Sequence, residues 1–511
     1  MNRNKMIKKA VLLFLAASLL LFGCQSASDT KVSDANATGE AAEGEIKIGN
    51  FENGVSCHDP QIIESEGNYY MTGSHMVLAE STDLNHWDYI SNGNAKKYIS
   101  NLYEGSLPAF SYVGKNEQGG YSVWAGNIYY NEIMDKYMLY FCTSSTYIKS
   151  ALALAVSDEP EGPYEYVGDL LYSGFTASEV QETDLFDVLG QDAEVDRYFK
   201  YGGYNNELWP NCIDPAVFTD EDGTMWMVYG SWSGGIFLLE IDPQTGLVIH
   251  PKGDEADNVD SYFGYHLIGG AHHACEGPYI TYNAQNGYYY LFVSYGNLQR
   301  EGGYQIRQFR SKTVTGPYVD EMGNTLQDEE DYFSYGLKMA GNYIFPSLKT
   351  AYMAPGGQSV FTGKDGDIYI TYHQRFDAGT EYHEPRVHRL FLTADDWYVM
   401  APFERSDEQF MEGGLSAETL EGTFYVLNHG TDVSSVIHRG EKFKFHDGKI
   451  TGEMEGSYEF EEGKNDITVT FEGQTFTGVA FRMTDEAGNQ TLCLSAAGDK
   501  NETIWCVKYL K

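Results

Sequence analysis

Residues 214–231 carry the pattern that decides the fold. They read Asp214-Pro-Ala-Val-Phe, then a turn at Glu221-Asp-Gly, then Met225-Trp-Met-Val-Tyr-Gly-Ser. A short apolar strand, an Asp-Gly turn and a second strand rich in aromatic and β-branched residues predict a β-hairpin. No stretch of comparable length shows a convincing helical apolar period.

The same hairpin recurs four more times along the chain. The other copies begin at Asp59-Pro-Gln-Ile-Ile, Trp124-Ala-Gly-Asn, Glu276-Gly-Pro-Tyr-Ile and Gly357-Gln-Ser-Val-Phe. Their spacing is long for one hairpin and suits a four-stranded blade with insertions. A long β-sandwich is the competing interpretation, but it would not explain one turn motif recurring in one register. We therefore predict an all-β chain with a five-bladed β-propeller over residues 49–406.

Beyond the propeller the repeat is absent. Residues 407–511 hold short alternating strands, such as Ile467-Thr-Val-Thr-Phe and Gly478-Val-Ala-Phe-Arg-Met, which predict a small separate β-sandwich or barrel. A hairpin near the end of this domain could place Cys493 opposite Cys506. Either a cross-strand disulfide or two buried thiols fits these residues.

The first residues have the layout of an export signal. A basic start and an apolar run from Ala10 to Phe22, too short to span a bilayer, end in Leu21-Phe-Gly-Cys24. This pattern resembles a bacterial lipoprotein signal over residues 1–23, with Cys24 lipidated; an ordinary secretory signal is the alternative. Residues 24–48 are predicted to be a flexible tether. We expect an exported protein that meets the membrane only through this lipid.

Composition excludes several classes of partner. The 511 residues include 34 Lys+Arg and 74 Asp+Glu, for a formal net charge of -40. Binding to nucleic acid or to an anionic membrane surface is not expected, because those contacts need clustered Lys and Arg. With 14% aromatic residues and 40 Tyr, the chain suits neutral, ring-shaped ligands such as sugars.

Three of the five repeat heads are acidic. They are Asp59, Asp214 and Glu276, whereas Ala125 and Gly357 leave space. The inner strands of a propeller begin near its axis, so the heads should converge on one funnel. Asp before Pro is ordinary turn chemistry, but clustering three carboxylates is costly because each raises the pKa of the others. Converging carboxylates are what glycoside hydrolysis requires.

Five motifs, taken in order, resemble glycoside hydrolase family 43. They are Cys57-His-Asp-Pro, Trp124-Ala-Gly-Asn, Ile213-Asp-Pro-Ala-Val, Glu276-Gly-Pro-Tyr and Tyr372-His-Gln-Arg-Phe. Together with the C-terminal domain, they are most similar to the two-domain endo-α-1,5-L-arabinanases, and the resemblance covers roughly residues 50–511. One motif departs from the family pattern Trp-Ala-Pro-Asp, because Gly126 and Asn127 replace its last two residues.

The resemblance implies a role for each acid. Asp59 would be the general base and Glu276 the general acid, while Asp214 would orient that acid and keep its pKa raised. Inverting hydrolysis needs one protonated carboxyl group and one ionised carboxylate across the sugar ring, which agrees with these roles. The expected reaction is hydrolysis of internal α-1,5-L-arabinofuranosidic bonds of arabinan.

The resemblance also implies a metal. The residue matching His373 approaches one Ca²⁺ in the axial channel of the arabinanase-like members, although the sequence alone would suggest a core histidine.

Trp124 and Trp232 are candidates for stacking on sugar rings, with core packing as the alternative. Asn127 is a further candidate for substrate binding, although its departure from the family pattern puts that contact in doubt.

Two other functions remain compatible with the sequence. One is an exo-acting α-L-arabinofuranosidase or β-xylosidase of the same fold. The other is a surface lipoprotein that binds glycans without cleaving them, although a binding module has no need for three converging acids. Insertions at residues 168–211 and 319–356 are expected to form the rim of the cleft.

Overall fold

The computed structural model describes residues 45–93, 98–99, 101–253, 258–327 and 331–510. The predicted signal peptide, Cys24 and most of the predicted tether lie outside these residues. Helical segments within the described ranges are short: α1 (Leu185–Leu189), α2 (Ala417–Leu420) and 3₁₀ turns at Ser74–Met76, Pro108–Phe110, Val180–Glu182, Asp196–Tyr198 and Tyr332–Ser334. None of them has the length and apolar character that a bilayer crossing needs.

The first two sheets are regular four-stranded antiparallel blades. Blade 1 contains β1 (Gln61–Ser65), β2 (Asn68–Thr72), β3 (Leu78–Ser81) and β4 (Asp88–Ser91). Blade 2 contains β5 (Ser122–Asn131), β6 (Lys136–Ser144), β7 (Ser150–Ser157) and β8 (Glu165–Ser173). A short hairpin of β9 (Phe199–Lys200) and β10 (Gly203–Tyr204) follows in the insertion.

Blade 3 is wider than the predicted four strands. It contains β11 (Ala216–Thr219), β12 (Met225–Tyr229), β13 (Ile236–Ile241), β14 (Val248–Ile249), β15 (Val259–Asp260) and β16 (Gly264–Ile268). Its order is β11-β12-β13-β16-β15, with β14 also paired to β13. Blade 4 is regular, with β17 (Cys275–Asn283), β18 (Tyr288–Tyr295), β19 (Gln305–Ser311) and β20 (Leu337–Ala340).

Blade 5 leads into the C-terminal domain. It contains β21 (Tyr343–Ile344), β22 (Tyr352–Thr362), β23 (Ile368–Phe376), β24 (His383–Leu392) and β25 (Tyr398–Met400). The remaining strands are β26 (Gly422–Asn428), β27 (His438–Arg439), β28 (Glu441–His446), β29 (Lys449–Thr451), β30 (Gly456–Phe460), β31 (Asp466–Phe471), β32 (Gln474–Thr484), β33 (Gln490–Gly498) and β34 (Thr503–Tyr509). All of these except β27 form a closed barrel, and β27 pairs with β21 of blade 5.

The five predicted hairpins are the inner halves of the five blades. The innermost strands contact one another in a closed cycle, β1 with β5, β5 with β11, β11 with β17, β17 with β22 and β22 with β1. Between blades 5 and 1, Ser359 Oγ donates to the Pro60 carbonyl at 3.0 Å, and Asn53 Nδ2 donates to the Pro385 carbonyl at 2.6 Å. The predicted five-bladed propeller is therefore confirmed.

The barrel packs on the outer strands of blade 5. Phe481 of the barrel stacks on Phe391 with 4.2 Å between ring centroids, and Ser495 Oγ donates to the Met400 carbonyl at 2.7 Å. Trp505 is buried in the same apolar cluster. The predicted boundary between residues 406 and 407 falls in the segment that connects β25 to the barrel.

The two cysteines at the end of the chain do not face each other. In the β33–β34 hairpin Cys493 pairs with Val507 and Cys506 pairs with Leu494. This register differs by one residue from the one that would bring the thiols together, and a one-residue shift turns a side chain to the other face of a sheet. Both thiols are buried and free. The disulfide is thereby excluded.

Candidate active site

The five inner strands begin around a common axis. Three consecutive residues of each line a cavity of about 40 Å³: Asp59–Gln61, Ala125–Asn127, Asp214–Ala216, Gly277–Tyr279 and Gly357–Ser359. The first residue of every triplet has a left-handed backbone, with φ between 44° and 59°. Residues with side chains rarely adopt this conformation, so its recurrence identifies equivalent positions in the five blades.

The fourth repeat is displaced by one residue from the sequence prediction. Gly277, and not Glu276, occupies the position of Asp59 and Asp214. Glu276 lies at the preceding position, which Trp124 occupies in blade 2, and both side chains line the cleft. Asp59 and Asp214 therefore occupy the same repeat position, whereas Glu276 occupies the position before it.

A cleft of about 700 Å³ opens beside this axis. All three predicted catalytic acids line it, as do several aromatic and titratable side chains: His58, His75, Trp124, Tyr147, Tyr304, Arg375, Glu381 and His383. Its volume falls within the range typical of small-molecule sites, about 300–1,000 Å³. The structure thus brings Asp59, Asp214 and Glu276 together, as the repeat predicted.

Asp59 is held in its ionised form. His58 Nδ1 lies 2.7 Å from Asp59 Oδ2, and Ser74 Oγ donates to the same oxygen at 2.6 Å. Burial raises the pKa of Asp59, but the charge of His58 and these hydrogen bonds outweigh it, so its pKa is lower than usual. A general base must be ionised near neutral pH, and Asp59 meets that requirement.

Glu276 is held by two hydroxyl groups. Ser231 Oγ donates to Oε2 at 2.9 Å, and Tyr304 OH donates to Oε1 at 2.8 Å. Burial raises the pKa of Glu276; the two hydroxyl donors lower it in part, and the charge of Asp59 raises it again. The net shift is upward, which favours a carboxyl group that still carries its proton when it meets a substrate.

Asp214 forms a coupled pair with Glu276. Its Oδ2 accepts the Gly277 N–H at 3.1 Å. Burial, followed by the charges of Glu276 and Asp59, raises the pKa of Asp214 well above its usual value. Both carboxyl groups therefore hold their protons to a higher pH than isolated carboxyl groups would. The sequence analysis expected a raised pKa for Glu276, and in the structure the pKa of Asp214 is raised as well.

His373 lies next to Asp59 and is fully buried. Its Nδ1 is 3.6 Å from Asp59 Oδ1, and its ring stacks on His58 with 3.8 Å between centroids. On its other side it stacks on Tyr304 at 5.6 Å. A Cβ atom at position 357 would collide with both Asp59 Oδ1 and His373 Nδ1, so Gly357 leaves the space in which they meet.

Three side chains at this point could hold a metal ion. The ligand atoms of His58, Asp59 and His373 all lie within 4.8 Å of one another. The Nε2 atoms of both histidines are buried and have no hydrogen-bond partner among the described residues. An unpaired imidazole nitrogen beside a carboxylate fits a metal site. Ca²⁺ prefers oxygen, so His373 could supply only one ligand, and carboxylate or water oxygens would have to supply the rest.

The two candidate tryptophans are both half-buried, but in different places. Trp124 lines the cleft, where its Nε1 donates to Ser144 Oγ at 2.7 Å and its ring meets the edge of His75 at 4.6 Å. Trp232 lies beside Tyr147, a residue of the cleft wall, with 6.5 Å between ring centroids. The structure therefore places Trp124 in the cleft and Trp232 next to its wall.

Asn127 belongs to a contact between blades. It is 3% exposed, and its Oδ1 accepts the backbone N–H of Val217 in blade 3 at 3.1 Å. It lines the small axial cavity, whereas the described lining of the cleft does not include it. Its side chain therefore joins blade 2 to blade 3, and its expected role in substrate binding stays a prediction.

The sequence analysis missed the groups that hold the acids. A shared feature could have revealed them, because the second strand of several repeats ends in a small polar residue. Ser74, Ser294 and His373 occupy equivalent places there, and each accepts a backbone N–H from the head of the following blade: Ala125, Gly357 and Asp59. His373 thus replaces a serine in this repeated contact. Tyr304 comes from a loop that carries no comparable signal.

Comparisons with known proteins agree with this geometry. The model of "Glycosyl hydrolases family 43" matches residues 191–398, and that of a "C-terminal lipocalin-like domain" matches residues 402–506. The chain is 34% identical over 472 residues to the extracellular endo-alpha-(1->5)-L-arabinanase 2 of Bacillus subtilis strain 168, covering 88% of this chain and 92% of that protein. The chain belongs to glycosyl hydrolase family 43.

Two further comparisons cover most of the chain. The extracellular endo-alpha-(1->5)-L-arabinanase of Thermotoga petrophila is 33% identical over 471 residues, covering 88% of this chain and 93% of that protein. The crystal structure of endo-1,5-alpha-L-arabinanase from Thermotoga petrophila RKU-1 superimposes with a TM-score of 0.78 at 33% identity, covering 90% of this chain and 99% of that one. As a family 43 chain, the protein is a glycoside hydrolase, and its three converging acids are the candidate catalytic groups.

Proposed function

We propose that the protein is an endo-acting arabinanase, which hydrolyses internal α-1,5-L-arabinofuranosidic bonds of arabinan with inversion. The observation that carries this proposal is one cleft that holds Asp59, whose pKa is lowered, together with Asp214 and Glu276, whose pKa values are raised. The substrate is inferred from the arabinanases of similar length named above.

The chemistry follows from the protonation of the three groups. Glu276 transfers its proton to the glycosidic oxygen as the bond to the anomeric carbon breaks. Asp59 takes a proton from the water that attacks this carbon from the opposite face, so the configuration inverts. Asp214 raises the pKa of Glu276, which keeps the proton available until the leaving group needs it.

Product analysis on linear debranched arabinan tests the proposal. An endo-acting enzyme releases oligosaccharides of mixed length at the earliest times, with a rapid fall in viscosity, and the first anomer formed is β. Release of one short product from the start would identify an exo-acting enzyme. Activity confined to aryl β-xylosides would identify a β-xylosidase, and binding without cleavage by the unmodified chain would identify a glycan-binding lipoprotein.

A calcium ion at His373 is part of the same proposal. His373 is the residue that would supply the nitrogen ligand, with oxygen ligands completing the shell. When bound, the ion supplies a positive charge that stabilises the Asp59 carboxylate. Prolonged chelation should lower the melting temperature and the activity, and added Ca²⁺ should restore both. Atomic emission that finds no metal in fully active protein would remove the ion from the proposal.

Export and anchoring through Cys24 complete the proposal. Leu21-Phe-Gly-Cys24 after a basic start supports cleavage before Cys24 and lipidation of its thiol. Mass spectrometry of the membrane fraction should find a diacylglyceryl group on an N-terminal Cys24, and Cys24→Ala should yield unlipidated protein or an uncleaved precursor. Soluble, unlipidated wild-type protein would contradict the anchor without affecting the assigned reaction.

A further inference from the structure

Blade 3 and the insertion before it enclose a second pocket, of about 990 Å³. Its wall combines residues of the insertion, from Arg197 to Trp209, with the blade 3 loop Gly269–His272. Its described lining shares no residue with the described lining of the catalytic cleft. The structure therefore contains a large concave surface that the reaction does not use.

The pocket has a rigid aromatic wall. The Trp209 indole is half-buried, donates from Nε1 to the Arg197 carbonyl at 2.8 Å, and stacks on Phe263 with 5.7 Å between centroids and 25° between planes. Next to it, Leu208 is 60% exposed. A fixed indole beside an exposed aliphatic side chain offers the apolar surface on which the C–H faces of a sugar pack, and its ordering costs little entropy.

The polar groups of the pocket suit a neutral, hydroxyl-rich ligand. Asn205 Oδ1 is buried and has no hydrogen-bond partner among the described residues, so it can accept a ligand hydroxyl. The charged groups are already paired, Arg197 with Asp260 at 2.9 Å and Lys200 with Glu207. These pairs leave little net charge to attract a phosphate or a carboxylate, in a chain whose overall charge is -40.

The opposite wall is built from strained backbone. Ala271 and His272 both have left-handed conformations, with φ of 49° and 63°. They are held in place by the neighbouring loops, because Ala271 N–H donates to the Glu207 carbonyl at 3.3 Å and His272 N–H donates to the Ser233 carbonyl at 2.9 Å. Such strain persists only where surrounding structure enforces it, and it concentrates at ligand sites.

One loop separates this pocket from the cleft. Trp209 faces the pocket, whereas Asn211, two residues later, lines the cleft and donates to the Tyr147 carbonyl at 2.8 Å. Two residues span at most about 7 Å of chain. A polysaccharide that leaves the cleft on this side can therefore reach the pocket within a few sugar units.

We infer that this pocket is a second glycan-binding site, which holds the same neutral arabinan chain outside the catalytic cleft. The inference rests on the proposed function, because that function supplies the identity of the polysaccharide. A site of this kind raises the local concentration of a long substrate and has no effect on a substrate too short to reach it. One experiment can therefore compare the polymer, whose turnover should depend on the pocket, with a short oligosaccharide, whose turnover should not.

The test compares two pocket variants with a matched control. Leu208→Asp changes an exposed side chain and Trp209→Ala removes the indole; Ile133→Asp changes a side chain that is 59% exposed on blade 2, away from the pocket. Binding is measured by affinity electrophoresis in gels containing linear arabinan, with every variant also carrying Glu276→Gln to prevent cleavage. Turnover of arabinan and of arabinotriose is measured in the otherwise unmodified chain.

Loss of one stacking contact should weaken retardation by arabinan and kcat/KM on the polymer by about three- to tenfold. Arabinotriose kinetics should stay within about twofold of the parent, as should every property of Ile133→Asp. If Trp209→Ala disturbs folding, seen as a lower melting temperature, Leu208→Asp alone tests whether the pocket binds arabinan.

Three results would overturn the inference. Unchanged retardation of both pocket variants, in a parent that cleaves arabinan, removes the second site and leaves the proposed function intact. An equal loss on arabinotriose and on the polymer assigns the pocket to the cleft itself. A parent that neither binds nor cleaves arabinan removes both the site and the proposed function.

Discussion

An aspartate on each side of the cleft has its pKa shifted, but in opposite directions. Asp59 and Asp214 occupy equivalent positions in blades 1 and 3, each before a proline and each with a left-handed backbone, at φ of 53° and 56°. Yet the pKa of Asp59 is lowered and that of Asp214 is raised well above its usual value. The repeat therefore fixes where a carboxyl group lies, and its neighbours decide whether it carries a proton.

The neighbours that differ can be named. Asp59 receives an imidazole contact from His58 and a hydroxyl from Ser74. Asp214 accepts one backbone N–H and lies near the carboxyl group of Glu276, whose charge raises the pKa of Asp214. Burial raises the pKa on both sides, and only the first side has enough compensating contacts. One repeat position thus supplies a base in one blade and a carboxyl group of raised pKa in another.

The largest expected effect comes from removing the carboxyl group of Asp59 or that of Glu276. Asp59→Ala and Glu276→Ala should each slow arabinan hydrolysis by about 10²- to 10⁴-fold, the usual contribution of a general acid or base. The two should separate on an aryl α-L-arabinofuranoside with a good leaving group, provided the enzyme accepts it. Glu276→Ala should recover much of its rate there because the phenolate leaves without a proton, whereas Asp59→Ala should not.

Added azide tests the role of Asp59 in a second way. It needs no deprotonation, so it should partly rescue Asp59→Ala and give a glycosyl azide of inverted configuration. Asp222→Asn, which changes an exposed carboxylate at the outer turn of the blade 3 hairpin, should behave like the parent. An identical response of Asp59→Ala and Glu276→Ala to leaving-group quality would contradict the assigned roles.

The fold was predictable because its signal is local and repeated. Asp-Gly or Asn-Gly turns mark three of the five hairpins, Glu66-Gly67 and Asp135-Lys136 mark the other two, and the five copies together define the ring. The extra strands of blade 3 were missed because β14 and β15 are only two residues long. Such short strands form through tertiary pairing and leave no period in the sequence.

Details of register were not predictable in the same way. The same pairing irregularity follows Trp124, Glu276 and Gly356, so Glu276 precedes the head Gly277 just as Trp124 precedes Ala125, and the sequence alignment of this repeat was wrong by one residue. The relation of Cys493 to Cys506 depends on a one-residue choice of hairpin register. A single residue changes which face a side chain occupies, and the apolar pattern of these strands does not fix that choice.

Asp214→Asn tests the coupling on the acid side and should have the second-largest effect. The substitution removes the negative charge that opposes ionisation of Glu276, so the last proton leaves at lower pH. The basic limb of the kcat/KM profile should therefore move to lower pH, with a loss of rate smaller than that of Glu276→Ala. Asp222→Asn is again the control. An unmoved basic limb would show that Asp214 acts through orientation only.

The smallest expected effect comes from Tyr304, whose hydroxyl donates to Glu276 Oε1 at 2.8 Å. This bond favours the ionised form of Glu276, so Tyr304→Phe should raise its pKa and move the basic limb to higher pH, opposite to Asp214→Asn. The loss of rate at the optimum should be about tenfold or less, the value of one hydrogen bond. Tyr295→Phe is the matched control, because the buried Tyr295 hydroxyl has no hydrogen-bond partner among the described residues. A basic limb that moves to lower pH in Tyr304→Phe would mean that the hydroxyl stabilises the protonated acid, and the contrast between the two sides of the cleft would then need another cause.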